Sequence, residues 1–173
     1  MWQFVYMDKI KKELFLPRLY NILYNNMSVI APTGNSKRED YLIWHKAISE
    51  GLEKPQRQIV LIKNGRKLAG YIQYAVGRDV LIIEEIELKP IYHRSAAFFC
   101  ACKFIYDNIP NDIEYIESYA RVENDRSIKM QLHFGLELVG TIHDRTLHFK
   151  AKTSDIIKKH PYMFKYAQKE VNI

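Results

Sequence analysis

The run Val80–Lys89, VLIIEEIELK, followed at once by Pro90, constrains this chain more than any other stretch. β-Branched and apolar residues dominate it, and its length suits a strand buried on both faces of a sheet. Pro90 has no N–H and biases Lys89 towards an extended backbone, so the strand ends there. Ser95 then offers a side-chain oxygen to the free N–H groups of a helix start. From Ala96 to Ile105 the chain is apolar except for Lys103, and a helix apolar on most sides is a buried one. Strand, tight turn and buried helix gather unpaired backbone N–H groups at one point, with the helix dipole behind them, which makes an anion site. An ordinary strand-to-helix corner without a ligand is the alternative.

The flanking segments supply partners for this unit. Ile10, Leu14, Leu19, Ile22 and Leu23 recur at helical spacing between Asp8 and about Asn26, with Pro17 set to kink or break the run. After the loop SVIAPTGNS, Ser36 and Glu39 form a capping box for a second helix ending by Pro55. Asn64-Gly65, between Gln58–Lys63 and Lys67–Val76, is a hairpin signal, and Gly77-Arg78-Asp79 turns into Val80. These three strands form an antiparallel meander. Beyond the buried helix, Glu114–Val122 reads as a fourth strand, a parallel neighbour of Val80–Lys89 reached by a crossover. Asn124 caps a short helix that Gly135 ends. Leu136–Ile142 and Arg145–Lys150 close a hairpin about His143-Asp144, and Thr153–Ile173 is a helical tail with a break at Pro161.

The chain of 173 residues fits a single domain, with N-terminal helices at 8–55, a core sheet and helices at 58–150 and a tail at 153–173. No apolar run reaches transmembrane length, and the charges of MWQFVYMDKIKKE follow its apolar residues, the reverse of a signal peptide. No membrane association is expected, and a cytoplasmic location is. Cys100 and Cys102 lie two apart on a helix, point to nearly opposite sides and read as small buried hydrophobes. The six histidines form no helical pair and no cluster with cysteine, so no metal site is expected. The net charge of +6 is spread along the chain without a dense basic block, which argues against a nucleic-acid partner.

The order helix, helix, three antiparallel strands, helix, strand, helix, two strands resembles the GNAT N-acyltransferase superfamily. That implies an α/β fold with a central mixed, mostly antiparallel sheet flanked by helices. LKPIYHRSAAFF is similar to the family's pyrophosphate loop, Val-x-Pro-x-Tyr-Arg/Gln-Gly-x-Gly-Ile/Val-Gly/Ala, with Leu88, Pro90 and Tyr92 in register. His93 stands for the usual Arg or Gln, Arg94 and Ala96 for the first two glycines, and Phe98 for the last small residue. NDRSIKMQLHFGL resembles Asn-x-x-Ala/Ser-x-x-x-Tyr-x-Lys-x-Gly-Phe at Asn124, Ser127 and Gly135. Gln131 takes the place of the tyrosine that often protonates the thiolate of coenzyme A, and His133 that of the lysine. The resemblance implies acetyl-CoA as co-substrate, held by Ile86, Glu87 and Leu88 of the strand, by His93, Arg94, Ser95, Ala96, Ala97 and Phe98 of the loop, and by Asn124 and Gln131.

It also implies a general base at Glu84 or Glu85, since polyamine N-acetyltransferases carry Glu-Asp where Glu84-Glu85 stands. Strand alternation alone puts Val80, Ile82, Glu84, Ile86 and Leu88 on one face. A carboxylate in apolar surroundings is a suitable base for an ammonium substrate, which favours Glu84. A β-bulge would exchange the faces and favour Glu85. Ion pairing of these glutamates with neighbouring strands is the structural alternative. The expectation is transfer of an acetyl group from acetyl-CoA to a primary amine, small molecule or peptide, by direct attack. The alternative is a non-catalytic module of the same fold that has lost cofactor binding. A homodimer is compatible with either.

Overall fold

The computed structural model describes residues 1–164. The elements run β1 (Trp2–Tyr6), a 3-10 turn at Lys9–Lys11, α1 (Lys12–Met27), α2 (Lys37–Leu52), β2 (Arg57–Asn64), β3 (Lys67–Val76), β4 (Val80–Leu88) and a second 3-10 turn at Pro90–Tyr92. Then come α3 (Ala97–Tyr106), β5 (Tyr115–Arg121), α4 (Asp125–Phe134), β6 (Glu137–Ile142), β7 (Thr146–Lys152), α5 (Thr153–Lys159) and α6 (Pro161–Phe164). The strands form one mostly antiparallel sheet in the order β1-β2-β3-β4-β5-β7-β6, so β4 has the two neighbours expected of it. The part of the expected tail beyond Phe164 lies outside the described residues. No helix among the described residues is long and apolar enough to cross a membrane.

The described residues divide into two compact units, one of Met1–Ala75 with Ile83–Ser95 and one of Val76–Ile82 with the described residues from Ala96. In the first, β2 pairs antiparallel with β3, and Ile59↔Gln73 and Leu61↔Tyr71 are opposed pairs on one face. Ile59, Leu61 and Tyr71 pack with Leu16 and Leu19 of α1 and Ile48 and Leu52 of α2 in one buried cluster. The amphipathic helices thus cover the face of the sheet that carries Tyr71 and Gln73. Pro17 does not break α1. It falls in the second turn, where the carbonyl that loses its partner belongs to exposed Glu13 and can be served by water. The capping box of Ser36 and Glu39 starts α2 as expected.

Strand β1 is absent from the sequence reading. It pairs antiparallel with β2 from Trp2↔Asn64 to Tyr6↔Val60 as an edge strand, and five residues with one partner leave little periodic signal. The β2–β3 turn is formed by Gly65 and Arg66, one residue later than expected, with Gly65 at φ 59° and a register shift after Ile62. In the second unit, β5 pairs with β7 and β6 with β7, both antiparallel. His143 and Asp144, at φ 50° and 46°, make the tight turn between β6 and β7, and Gly135 ends α4 in the left-handed region. Phe98 and Phe134 are buried, with ring centroids 5.4 Å apart in an edge-on contact, and His160 stacks on Phe134. Cys100 and Cys102 are half-buried free thiols rather than fully buried ones, and burial pushes the Cys102 thiol up.

Candidate active site

Tyr71 and Gln73 lie two apart on β3 and therefore point to the same face, under α1 and α2. Tyr71 donates its hydroxyl to Glu85 Oε2 at 2.8 Å, and Gln73 Nε2 donates to Glu84 Oε2 at 2.6 Å. Arg57, opposite Ala75 and so on the same face as Gln73, donates from Nη2 to Glu84 Oε1. Trp44 of α2 donates its indole N–H to Glu85 Oε1 at 3.1 Å, with its ring 5.4 Å from that of buried Tyr20. Consecutive residues of a regular strand would face opposite ways, yet both glutamates meet groups from one face. Burial changes phase over the same stretch, from Leu81 and Ile83 to Leu88. The pleat of β4 is therefore broken between Ile83 and Leu88, as at a β-bulge.

The two carboxylates have different company. Glu84 is ion-paired with Arg57, whose guanidinium lies on Gly51 of α2, and a Cβ at Gly51 would stand 1.9 Å from Arg57 Nη1. Glu85 has the neutral donors Trp44 and Tyr71 instead. Desolvation by burial raises its pKa, the nearby Glu84 charge adds to the rise, and the two hydrogen bonds and Arg57 oppose it. The same burial, with Glu85 alongside, pushes the Tyr71 phenol well up and keeps it protonated as a donor.

The end of β4 is tied down by side chains. Asn26 of α1 donates to Glu87 Oε2 at 2.6 Å and to the Leu88 carbonyl at 2.9 Å, and the His93 ring donates from Nε2 to the same carbonyl at 2.7 Å. The Ile86 side chain is half-buried and that of Leu88 buried. A Cβ on Gly70 of β3 would come within 2.1 Å of the Glu87 carbonyl oxygen, so β3 is glycine where β4 approaches it. Past Pro90, Ser95 lies one residue before the N-cap position of α3, and its hydroxyl donates to the Tyr92 carbonyl at 2.7 Å. The N-cap of α3 is Ala96, which has no capping oxygen. Residues from Pro90 to Phe98 all have negative φ. Arg94 and Ala96 thus occupy the places of glycines without backbone strain, and Arg94 is exposed.

In the second unit, α3 begins at Ala97 with Ala96 as its N-cap, and Ala96 makes no side-chain cap hydrogen bond. Backbone N–H groups at a helix N-terminus suit a phosphate, which is the chemistry an acyl-CoA would need there. Phe98 is spent on the core against Phe134. Asn124 caps α4 by accepting from Ser127 N at 3.0 Å. Gln131 is 5% exposed and commits both ends of its amide. Its Oε1 accepts from Ser118 Oγ, while Nε2 donates to the Tyr119 carbonyl at 3.2 Å and to Ser127 Oγ at 3.1 Å.

Among solved structures the chain is similar to an acetyltransferase from Thermus thermophilus, with a TM-score of 0.68 and 11% identity over 88% of this chain and 97% of that one. It is also similar to PaiA N-acetyltransferase from Thermoplasma acidophilum in complex with coenzyme A, with a TM-score of 0.66 and 13% identity over 88% and 99% of the two chains. A third, FdhC, a nucleotide-linked sugar GNAT, has a TM-score of 0.65 and 10% identity over 96% and 93%. The chain has the GNAT acetyltransferase fold. No family model and no curated protein matches the sequence. On this GNAT fold, Trp44, Tyr71, Arg57, Gln73 and Asn26 are the partners of the β4 glutamates that sequence reasoning missed. The detectable signal was polar Tyr71 and Gln73 at strand spacing inside the otherwise apolar β3.

Proposed function

We propose that the chain is an acyl-CoA-dependent N-acyltransferase, with acetyl-CoA as donor and a primary amine of a small molecule or peptide as acceptor. The observation that carries this is Glu85: a half-buried carboxylate held by neutral donors, with its pKa raised by desolvation. Such a group suits the removal of a proton from an alkylammonium near neutral pH. The freed amine then attacks the thioester carbonyl. A C–N bond forms and the C–S bond breaks; the attacking nitrogen gives up its extra proton to water, and the sulfur leaves as thiolate and takes a proton from water. The backbone of Ile86–Leu88 orients and polarises the thioester carbonyl, and the first turn of α3 with Arg94 takes the pyrophosphate.

Gln131 has no donor to spare and carries no acidic proton, so water supplies the proton to the thiolate. Turnover is correspondingly slow. Thiol release from acetyl-CoA, followed over a panel of alkylamines and peptide amines, tests the proposal. Amine-dependent release that Glu85→Gln abolishes supports it, and absence of release across the panel refutes it. A second reading, a non-catalytic module of the same fold, draws on the locked Gln131. It predicts coenzyme A binding by calorimetry without thiol release, or no binding at all.

A further inference from the structure

Glu84 and Glu85 present four carboxylate oxygens under α2, and all four are engaged. Arg57 Nη2 and Gln73 Nε2 take those of Glu84, and Trp44 Nε1 and Tyr71 OH take those of Glu85. A cation thus reaches only one of two adjacent acids. The charged and titratable groups around Glu85 are Glu84 on its own strand, Arg57 on β2 and Tyr71 on β3. Glu87, farther along β4, acts on Tyr71. From the helices come neutral Trp44 of α2 and, on Glu87, Asn26 of α1.

We infer that Arg57 and Glu84 are positioning residues for the base: their ion pair compensates the charge beside Glu85 and so sets the pH at which Glu85 accepts a proton. This rests on the reading of Glu85 as base. A brace kept for stability alone is a poor account of the pair. Arg57 Nε and Gln73 Oε1 are buried without a hydrogen-bond partner among the described residues. A partly buried ion pair with orphaned polar atoms is a weak stabiliser. Gly51 adds a second observation, because α2 has no side chain where the guanidinium lies.

The test is a charge cycle on the full chain: Arg57→Gln, Glu84→Gln and the double variant, with Arg57→Lys as the conservative control. The side-chain carboxyl resonance of Glu85, assigned through Glu85→Gln, is titrated in each. Arg57→Gln leaves two acids side by side and moves the midpoint up. Glu84→Gln leaves a bare cation and moves it down, each by about one pH unit. The double variant returns close to wild type, and Arg57→Lys stays near it. The acidic limb of kcat/KM for acetyl transfer moves with the resonance. A structural brace has no reason to give opposite shifts that cancel. Shifts of the same sign, or none in Glu84→Gln, overturn the inference. The resonance reports whether or not an acyl group is transferred, so opposite shifts without any acyl transfer refute the acyltransferase reading and leave the coupling standing.

Discussion

Gly70→Ala is the substitution whose cost the structure fixes most tightly. The added Cβ would lie 2.1 Å from the Glu87 carbonyl oxygen, 2.7 Å from Leu88 Cδ2 and 2.9 Å from Leu88 Cα. Two of these atoms are backbone, so relief requires that β3 and β4 separate by nearly an ångström, against the Lys89 N to Ala69 O hydrogen bond of 2.8 Å. Overpacking of this kind costs about 1–3 kcal/mol. Lower chain entropy in the unfolded state returns about 0.4–1 kcal/mol, because φ at Gly70 is not left-handed. The net loss is about 1.3 kcal/mol, or roughly 3–5 °C in Tm for a chain of this size. Gly140→Ala is the control, since nothing lies within 4 Å of its Cβ position. Urea and thermal melts of both variants, with calorimetry of coenzyme A, provide the assay. Gly70→Ala also weakens cofactor binding, because Glu87 and Leu88 are the residues displaced. Equal melting of Gly70→Ala and Gly140→Ala would refute the reasoning.

Tyr71→Phe removes a donor that stabilises ionised Glu85. Proton affinity at Glu85 therefore rises, and the acidic limb of the kcat/KM profile moves to higher pH. Gln131→Leu takes the acceptor from the buried Ser118 hydroxyl, so urea melts show a loss of about 1–3 kcal/mol. Its coenzyme A affinity by calorimetry stays at the wild-type value, because Gln131 is a brace between α4 and β5.

Much of the fold was legible because long, strongly patterned segments carry it. The strand β4, though half-buried along most of its length rather than buried on both faces, the capping box at Ser36 and the turn at His143-Asp144 are local signals that the tertiary structure leaves intact. Edge strand β1 was not legible, since a short strand with one partner needs no strict alternation. At the site, the Glu84-Glu85 pair stood out as charge inside an apolar strand, but its geometry did not. Alternation favours Glu84, and the broken pleat of β4 is set by contacts between strands that a single segment does not encode. Arg57, Gln73 and Trp44 come from other elements and meet the pair only on folding. Ser95 looked like the N-cap by position, yet α3 begins one residue later, with Ala96 at the cap position, and the Ser95 hydroxyl donates back to the turn at Tyr92.

Glu85→Gln separates the chemistry of this residue from its structural cost. The amide fits the same contacts: its oxygen accepts from Trp44 Nε1, and its nitrogen donates to the Tyr71 hydroxyl oxygen, which can accept. In the wild type, burial raises the folded-state pKa of Glu85 above the ordinary carboxylate value of 4.5. The protonated acid is thus the form that folding favours. Its contribution to stability is complete below the unfolded pKa and is lost as the pH rises through the folded one. Glutamine never ionises and escapes that loss. The variant should therefore melt close to the wild type at about pH 4 and above it at about pH 8, with the gap opening over the range in which Glu85 titrates. Acetyl transfer should meanwhile fall by roughly 10²–10⁴-fold, as for removal of a general base. A group kept for stability gives the reverse, a variant that melts lower at high pH. A melting difference independent of pH, or a variant less stable at pH 8, as measured by thermal melts across the pH series, would show that Glu85 does not hold a proton in the folded state, and the assignment of Glu85 as base would fall with it.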